Sequence, residues 1–222
     1  MPVKLSPYAH PGSFSKLEER WRKVPVAVAV DIHPAACQID PAIRPLCPTG
    51  KQPGLFGRAL TVLCEPPDFG AVLHAADMIK PGDVMVIAAN GNAETAIIGE
   101  IVSGHVRRRG GVGVICDGAV RDVGELANWD NFPVFSRHVT PRGPASANSG
   151  AINCPVQFGG QTVSPGDLVL GDNDGLARLT PEMVSDFIQA AEAKLELEAE
   201  WVQRLTNGDP VEAVFGLEKP AS

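Results

Sequence analysis

The chain has 222 residues, a formal net charge of −7, 44% hydrophobic and 20% charged residues, which suits one large domain or a compact domain with extensions and a real core. The only basic cluster is Arg107, Arg108 and Arg109, so the concentrated basic face that nucleic-acid binding needs is excluded, while small anions remain open as ligands. Five cysteines with no C-x-x-C pair, five histidines without metal spacing, no signal-peptide core and no membrane-length run point to a reduced cytoplasmic protein with no zinc site and no membrane partner.

Residues 1–54 read as an irregular arm on the main body. They carry a short helix around Ser15–Lys23, the apolar run "VPVAVAV" and a proline-rich stretch too rich in Val, Ile and Leu for a flexible linker. From Leu55 the rhythm changes. "RALTVLCE" reads as a strand, "DFGAVLHAADMI" as a helix and "DVMVIAA" as a strand; a helix follows near Ala96–Arg109, then the strand "VGVIC". This alternation predicts stacked α/β layers with helices covering a sheet. Asp117-Gly118 then reads as a turn. "FPVFSR", "AINCPVQFGGQTV" and "DLVLGD" are short strands dense in Gly and Pro, which predicts a second, more β-rich layer. "KPGDVMVI" and "SPGDLVLGD" share a device: Pro-Gly signals a type II turn and the aspartate caps it before an apolar strand.

The last element is a helix over 181–205. Thr180 is its N-cap, Pro181 its first position and Asn207-Gly208 its stop. At about 100° per residue, Val184, Phe187, Ile188, Ala191, Leu195, Val202 and Leu205 form one apolar stripe, and Glu198 falls inside it. A carboxylate there is costly unless something pairs with it.

The chemistry concentrates between Ala89 and Leu126. The helix beginning near Ala96–Gly99 offers unpaired N–H groups, an anion site suited to a carboxylate. The strand "VGVIC" should open on the same sheet edge, the edge where such layers bind ligands. Arg121 and Asp122 fall there. Two readings of Asp122 stand: D-V-G-E is a capping box with Asp122 as N-cap and Glu125 reaching back, or Asp122 is a ligand. Arg121 is a surface ion pair or an anion clamp, and Glu100 an exposed first-turn residue or a functional acid. Carboxylates with water suit Mg²⁺ or Mn²⁺. Arg107–Arg109 read as a solvated last turn at the negative end of the helix dipole.

The run "GEIVSGHVRRRGGVGVICDGAVRD", with "GRALTV", "PGDVMVI", "FPVF", "INCPV" and "VSPGDLVLGDNDG" in order, resembles the RraA-like family over roughly residues 54–180. The branch it resembles contains the class II pyruvate aldolases of 4-hydroxy-4-methyl-2-oxoglutarate and 4-carboxy-4-hydroxy-2-oxoadipate. The resemblance implies a layered α/β/β/α sandwich of the swivelling β/β/α type, made of an N-terminal arm (1–54), a catalytic core (55–180) and a C-terminal helix and tail (181–222) at a subunit interface. It further implies that Asp122 coordinates Mg²⁺ or Mn²⁺, partly through waters. Arg121 would contact the oxygens of the oxo acid, and Glu100 would support the water network, with Glu where many members have Asp. The amides of Gly99, Glu100, Ile101 and Val102 would hold the carboxylate. A further carboxylate would come from a neighbouring subunit's C-terminal helix, Glu198 first and Glu196 as the fallback, in a homotrimer or homohexamer.

The implied reaction is cleavage of a 4-hydroxy-2-oxo dicarboxylic or tricarboxylic acid to pyruvate and an oxo acid, with oxaloacetate decarboxylation as a side activity. No lysine lies in the motif, which speaks against a Schiff base. The rivals are a non-catalytic binding protein of the ribonuclease-regulating kind, another lyase or decarboxylase or a hydratase on the same site, and an inactive α/β oligomer.

Overall fold

The computed structural model describes residues 2–33 and 37–218; residues 34–36 of the expected arm and 219–222 of the expected tail lie outside the described residues. The elements in chain order are β1 (Lys4–Leu5), α1 (Lys16–Trp21), α2 (Val26–Asp31), β2 (Arg44–Pro45), β3 (Leu55–Leu63), α3 (Gly70–Met78), β4 (Asp83–Ala88), β5 (Ala96–Ile98), α4 (Glu100–Arg108) and β6 (Gly113–Val120). There follow α5 (Val123–Leu126), β7 (Val134–Val139), β8 (Ala151–Ile152), β9 (Val156–Phe158), β10 (Gln161–Val163), β11 (Leu168–Gly171), β12 (Leu176–Leu179), α6 (Pro181–Thr206) and α7 (Val211–Phe215).

The central strands β3, β4, β6 and β7 pair in parallel, each link crossing over through a helix. Strand periodicity sorts their side chains onto two faces. Leu60, Val62, Met85, Ile87, Val114 and Cys116 face α3 and α4 in one core. Leu55, Ala59, Val84, Val86 and Ile115 face the β9–β10 hairpin and one side of the β11–β12 ribbon in a second. The ribbon is hydrogen-bonded to the first half of β3, and its other side packs on α1, α2 and α6 in a third. Three apolar layers therefore separate four layers of structure, α/β/β/α, as the family resemblance implies. Burying each of the larger aliphatic or phenyl side chains contributes about 1.5–3 kcal/mol, and Phe135, Phe158 and Ile115 are fully enclosed.

Both Pro-Gly-Asp segments form the expected device. Gly82 and Gly166 take φ of +91° and +88°, the Asp83 N–H donates to the Lys80 carbonyl, and the Asp167 N–H to the Ser164 carbonyl. Each carboxylate closes its turn by accepting from the amide of Lys80 or Ser164. Helix α6 has the expected bounds, with Thr180 accepting from the Met183 N–H and Asn207 as C-cap. Only the first part of its apolar stripe is covered: Val184, Ile188 and Ala191 are buried, while Val202 is 64% exposed.

Three local expectations are corrected. The helix expected from Ala96 begins at Glu100, because Ala96–Ile98 pair with β6 as a strand. The turn expected at Asp117-Gly118 is absent: β6 runs on to Val120 with a shift of register against β7 between Cys116 and Ala119. There the buried Asp117 carboxylate accepts the Ala89 N–H. A Cβ on Gly118 would meet the Ala89 side chain at 2.8 Å, so glycine is needed for space. The capping box at Asp122 does not form, because its carboxylate turns away from α5. No helix among the described residues is long and apolar enough to cross a membrane.

Candidate functional site

Strand β5 lies parallel to the last residues of β6, with Ile98 opposite Val120 and the Arg121 N–H donating to the Ile98 carbonyl. Both strands therefore end at the same point. The start of α4 and the Arg121-Asp122 pair emerge side by side, at the carboxyl edge of a parallel sheet. Asp122 has φ 57° and ψ 34°, a left-handed conformation that aspartate tolerates better than most residues. In that conformation its carboxylate turns away from α5 and makes no cap bond there. It accepts instead from the Glu100 N–H at 3.1 Å, at the first turn of α4, where a negative charge favours the helix dipole. Glu125, the other half of the expected box, accepts from the Trp129 indole N–H.

The Arg121 Nε lies 3.6 Å from Asp122 Oδ2, and both side chains are about two-fifths exposed, at 42% and 41%. The guanidinium rests on Gly143, where a Cβ would come within 2.6 Å of Nη1. Gly99 is occupied in the same sense: an added Cβ would overlap the Asp122 carboxylate and press on the Arg121 stem. Its φ of −146° is open to any residue, so the requirement is space alone. Gly99→Ala is expected to keep the fold while pushing the Asp122 carboxylate and the Arg121 stem aside by roughly 1 Å. Circular dichroism and a crystal structure of the variant check it; both side chains unmoved would separate Gly99 from the site.

A cavity of about 270 Å³ opens beside these groups, lined by Arg121, Asp122, Gly99, Ile101, Val102 and the apolar residues of α3, β5 and the 143–144 loop. Helix geometry leaves the N–H groups of Ile101 and Val102 without intrahelical acceptors, so they are available to an anion. The expected residues Gly99, Ile101, Val102, Arg121 and Asp122 thus share one cavity. Glu100 stands exposed at its edge, outside the lining.

Glu198 is elsewhere. Helix α6 packs on α1, α2 and β12, the opposite outer layer from α4, and Glu198 pairs with Lys194 at 3.5 Å. Glu196 is exposed on the same helix. Among the described residues no three His, Cys, Asp or Glu side chains converge where they could hold a metal. The donor set fits one class of ion only. Asp122 offers a half-exposed carboxylate with one N–H donor on it, which suits a magnesium-like ion that keeps most of its waters.

The sequence reading missed Asp68. Its carboxylate accepts from the Gly70, Asn148 and Ser149 amides and from the Ser146 hydroxyl, at 2.5–2.9 Å. These bonds fasten to α3 the segment that follows Gly143 and Pro144. Gly70 is glycine because a Cβ would strike the Ala147 carbonyl at 2.8 Å. The "DFG" spelling, an Asx residue two before a helical glycine, was the available signal. Burial alone would raise this carboxyl, but the Ser146 hydroxyl and three amides outweigh it and hold it well below the usual range. A depressed folded pKa stabilises the protein above the unfolded value near 4. That contribution is lost as pH falls through the folded value. Asp68→Asn is therefore expected to lower the urea midpoint at pH 7, and the gap to wild type to narrow below pH 4. A gap independent of pH would contradict the assignment.

The fold and cavity define a layered α/β protein with an Arg-Asp pair set against a helix N-terminus. The RraA-like family model, described as Aldolase/RraA, matches residues 27–177, and the chain belongs to that family. It is 33% identical over 175 residues to a Halalkalibacterium halodurans protein provisionally named 4-hydroxy-4-methyl-2-oxoglutarate aldolase, covering 79% of this chain and 81% of the relative. Among solved structures, an uncharacterized protein from Pseudomonas syringae superposes with a TM-score of 0.80 at 22% identity, covering 94% of this chain and 97% of that one. Streptomyces coelicolor RraAS2, described as an unusual member of the RNase ES inhibitor RraA family, superposes with a TM-score of 0.76 at 26% identity, covering 86% and 98%.

Proposed function

We propose that the chain is a divalent-metal-assisted aldolase that releases pyruvate from a 4-hydroxy-2-oxo acid. The observation that carries the reading is the meeting of the Arg121 guanidinium, the Asp122 carboxylate and the α4 N-terminus on one cavity. The amides of Ile101 and Val102 hold the substrate carboxylate, and Arg121 binds the oxo group. Cleavage breaks the C3–C4 bond and leaves its electron pair on C3 as an enolate, while the C4 hydroxyl loses its proton and becomes a carbonyl. Arg121 faces the developing enolate oxygen, where preorganised positive charge is most effective. A solvent water oriented by Glu100, exposed at the edge, and by Glu198 of a neighbouring subunit takes the hydroxyl proton; the proton is then returned to C3 to give the methyl group of pyruvate. A divalent ion on Asp122 would supply further Lewis-acid stabilisation of the same negative charge. That enolate stabilisation also extends to oxaloacetate, whose decarboxylation forms the same species.

We further infer a homotrimer or a homohexamer in which Glu198 of one subunit reaches the site of the next. The exposed apolar residues Leu197, Val202 and Phe215 beside it support this placement. Mixing inactive Asp122→Ala and Glu198→Ala proteins should then restore part of the activity; mixtures that recover none would remove Glu198 from the site.

The test of the function is pyruvate release from 4-hydroxy-4-methyl-2-oxoglutarate, 4-carboxy-4-hydroxy-2-oxoadipate and oxaloacetate, coupled to lactate dehydrogenase, with and without EDTA. Turnover abolished by EDTA and restored by Mg²⁺ or Mn²⁺ is expected. No turnover with any divalent ion would favour the second reading, a ribonuclease-binding protein, which the likeness to RraAS2 supports.

A further inference from the structure

We propose that Asp68 is a positioning residue for Arg121: by pinning the 140–149 segment it holds Gly143 in place as the seat of the guanidinium. The kinetic consequence rests on the aldolase reading. The structural one does not, since Asp68 is buried outside the cavity lining and acts through the backbone alone.

The segment "TPRGPASANS" that joins β7 to β8 has little of its own to hold it. It contains no large aliphatic or aromatic residue, and residues 145–148 are exposed. A stretch with so few buried apolar contacts opens at low cost unless polar bonds tie it down.

Those bonds gather at Asp68. Its Oδ2 accepts from the Ser146 hydroxyl at 2.5 Å and the Asn148 N–H at 2.7 Å, and its Oδ1 from the Ser149 N–H at 2.9 Å. Backbone bonds flank them: the Ala145 N–H donates to the Pro67 carbonyl, the Phe69 N–H to the Ser146 carbonyl and the Ala71 N–H to the Ser149 carbonyl. At the other end the Arg142 carbonyl accepts from the Ala96 N–H at 2.8 Å, the first residue of β5. Gly143 and Pro144 are stretched between these two anchors.

Arg121 depends on that seat. A Cβ on Gly143 would lie 2.6 Å from Nη1 and 3.5 Å from Cζ, so the guanidinium lies against bare backbone. Its pairing with Asp122 spans 3.6 Å, with the Arg121 side chain 42% exposed, and holds it only weakly. A long flexible side chain keeps one position only where something fixed supports it. Every contact in this series lies within one subunit, so it does not depend on what a neighbouring subunit brings to the cavity.

Arg121 acts on charge that develops as the C3–C4 bond breaks, so displacing it lowers kcat. The substrate carboxylate is held by the Ile101 and Val102 amides, which the segment does not carry, so KM should move little.

The experiment compares the full chain with Asp68→Asn, with the milder Ser146→Ala, and with each of these in an Arg121→Ala background. Pyruvate release is assayed well below each melting midpoint. In Asp68→Asn an NH₂ faces amide donors where a carboxylate oxygen accepted, at nearly unchanged volume. It is expected to lower kcat about 10- to 100-fold, the scale of a misplacement of about 1 Å. Ser146→Ala is expected to lower it less. In the Arg121→Ala background neither substitution should change kcat by more than about two-fold, the scatter of independent measurements. A crystal structure of Asp68→Asn should show the guanidinium off Gly143.

A kcat that survives Asp68→Asn while stability falls would make Asp68 purely structural and overturn the inference. So would the same loss of kcat in the Arg121→Ala background, which would place the effect elsewhere in the cavity. Should Asp68→Asn fail to fold, the same comparisons on Ser146→Ala decide the matter. Absence of turnover in the wild-type chain would sink the aldolase reading alone; a guanidinium still seated on Gly143 in the variant crystal would overturn the positioning role in either case.

Discussion

Arg121→Ala is expected to lower kcat for pyruvate release by about 10²–10³-fold, the cost of removing one preorganised charge from a developing oxyanion. The fold should hardly notice. The side chain is 42% exposed and its ion pair with Asp122 spans 3.6 Å, an arrangement worth little in stability. Arg121→Lys keeps the charge but loses the planar fork, and is expected to recover only part of the rate. Its test is kcat by the coupled assay beside a thermal melt. An alanine variant within a few-fold of wild type would place the guanidinium outside the reaction.

Asp122→Asn is expected to be at least as damaging, about 10³-fold in turnover, if removing this carboxylate removes the contribution of the divalent ion together with its own. Asparagine also tolerates the left-handed conformation of φ 57° and can still accept the Glu100 N–H. The variant should therefore melt close to wild type. Asp122→Ala removes that acceptor and the short polar side chain that makes the left-handed conformation tolerable, so it should lose about 1–2 kcal/mol of stability as well. The pair of variants separates the two roles. An asparagine variant that keeps its turnover and its divalent-ion response would make Asp122 a partner for the start of α4 and nothing more.

The layers were legible in the sequence because their signals are local. Apolar strand-length runs from Leu55 onward, two Pro-Gly-Asp turns, and Thr180-Pro181 with Asn207-Gly208 bounding α6 each state their structure within a few residues. The misreadings share one cause: a distant partner overrode a local signal. Asp117-Gly118 spells a turn, yet the Ala89 amide and the pairing with β7 keep it in strand β6. Ala96–Ile98 is too short an apolar run to choose between helix and strand, and only its pairing with β6 decides. D-V-G-E has the spelling of a capping box, but the parallel end of β5 delivers the Glu100 amide to Asp122 first.

The same contrast holds within the site. Arg121, Asp122 and the glycine before α4 could be named from motif and resemblance. Asp68 holds partners 78 to 81 residues away, through Ser146, Asn148 and Ser149, and no local pattern announces them. The apolar lining of the cavity is of the same kind, since Phe69, Ile101 and Pro144 meet only when α3, α4 and the 143–144 loop are folded together.

The most direct measurement is a crystal structure of the chain soaked in magnesium and pyruvate. Pyruvate is expected in the cavity beside α4, with its carboxylate on the Ile101 and Val102 amides, its oxo group within hydrogen-bond reach of Arg121, and a hydrated ion on Asp122. A cavity without pyruvate or ion at saturating concentrations of both, Asp122 still engaged with the Glu100 amide, would contradict it.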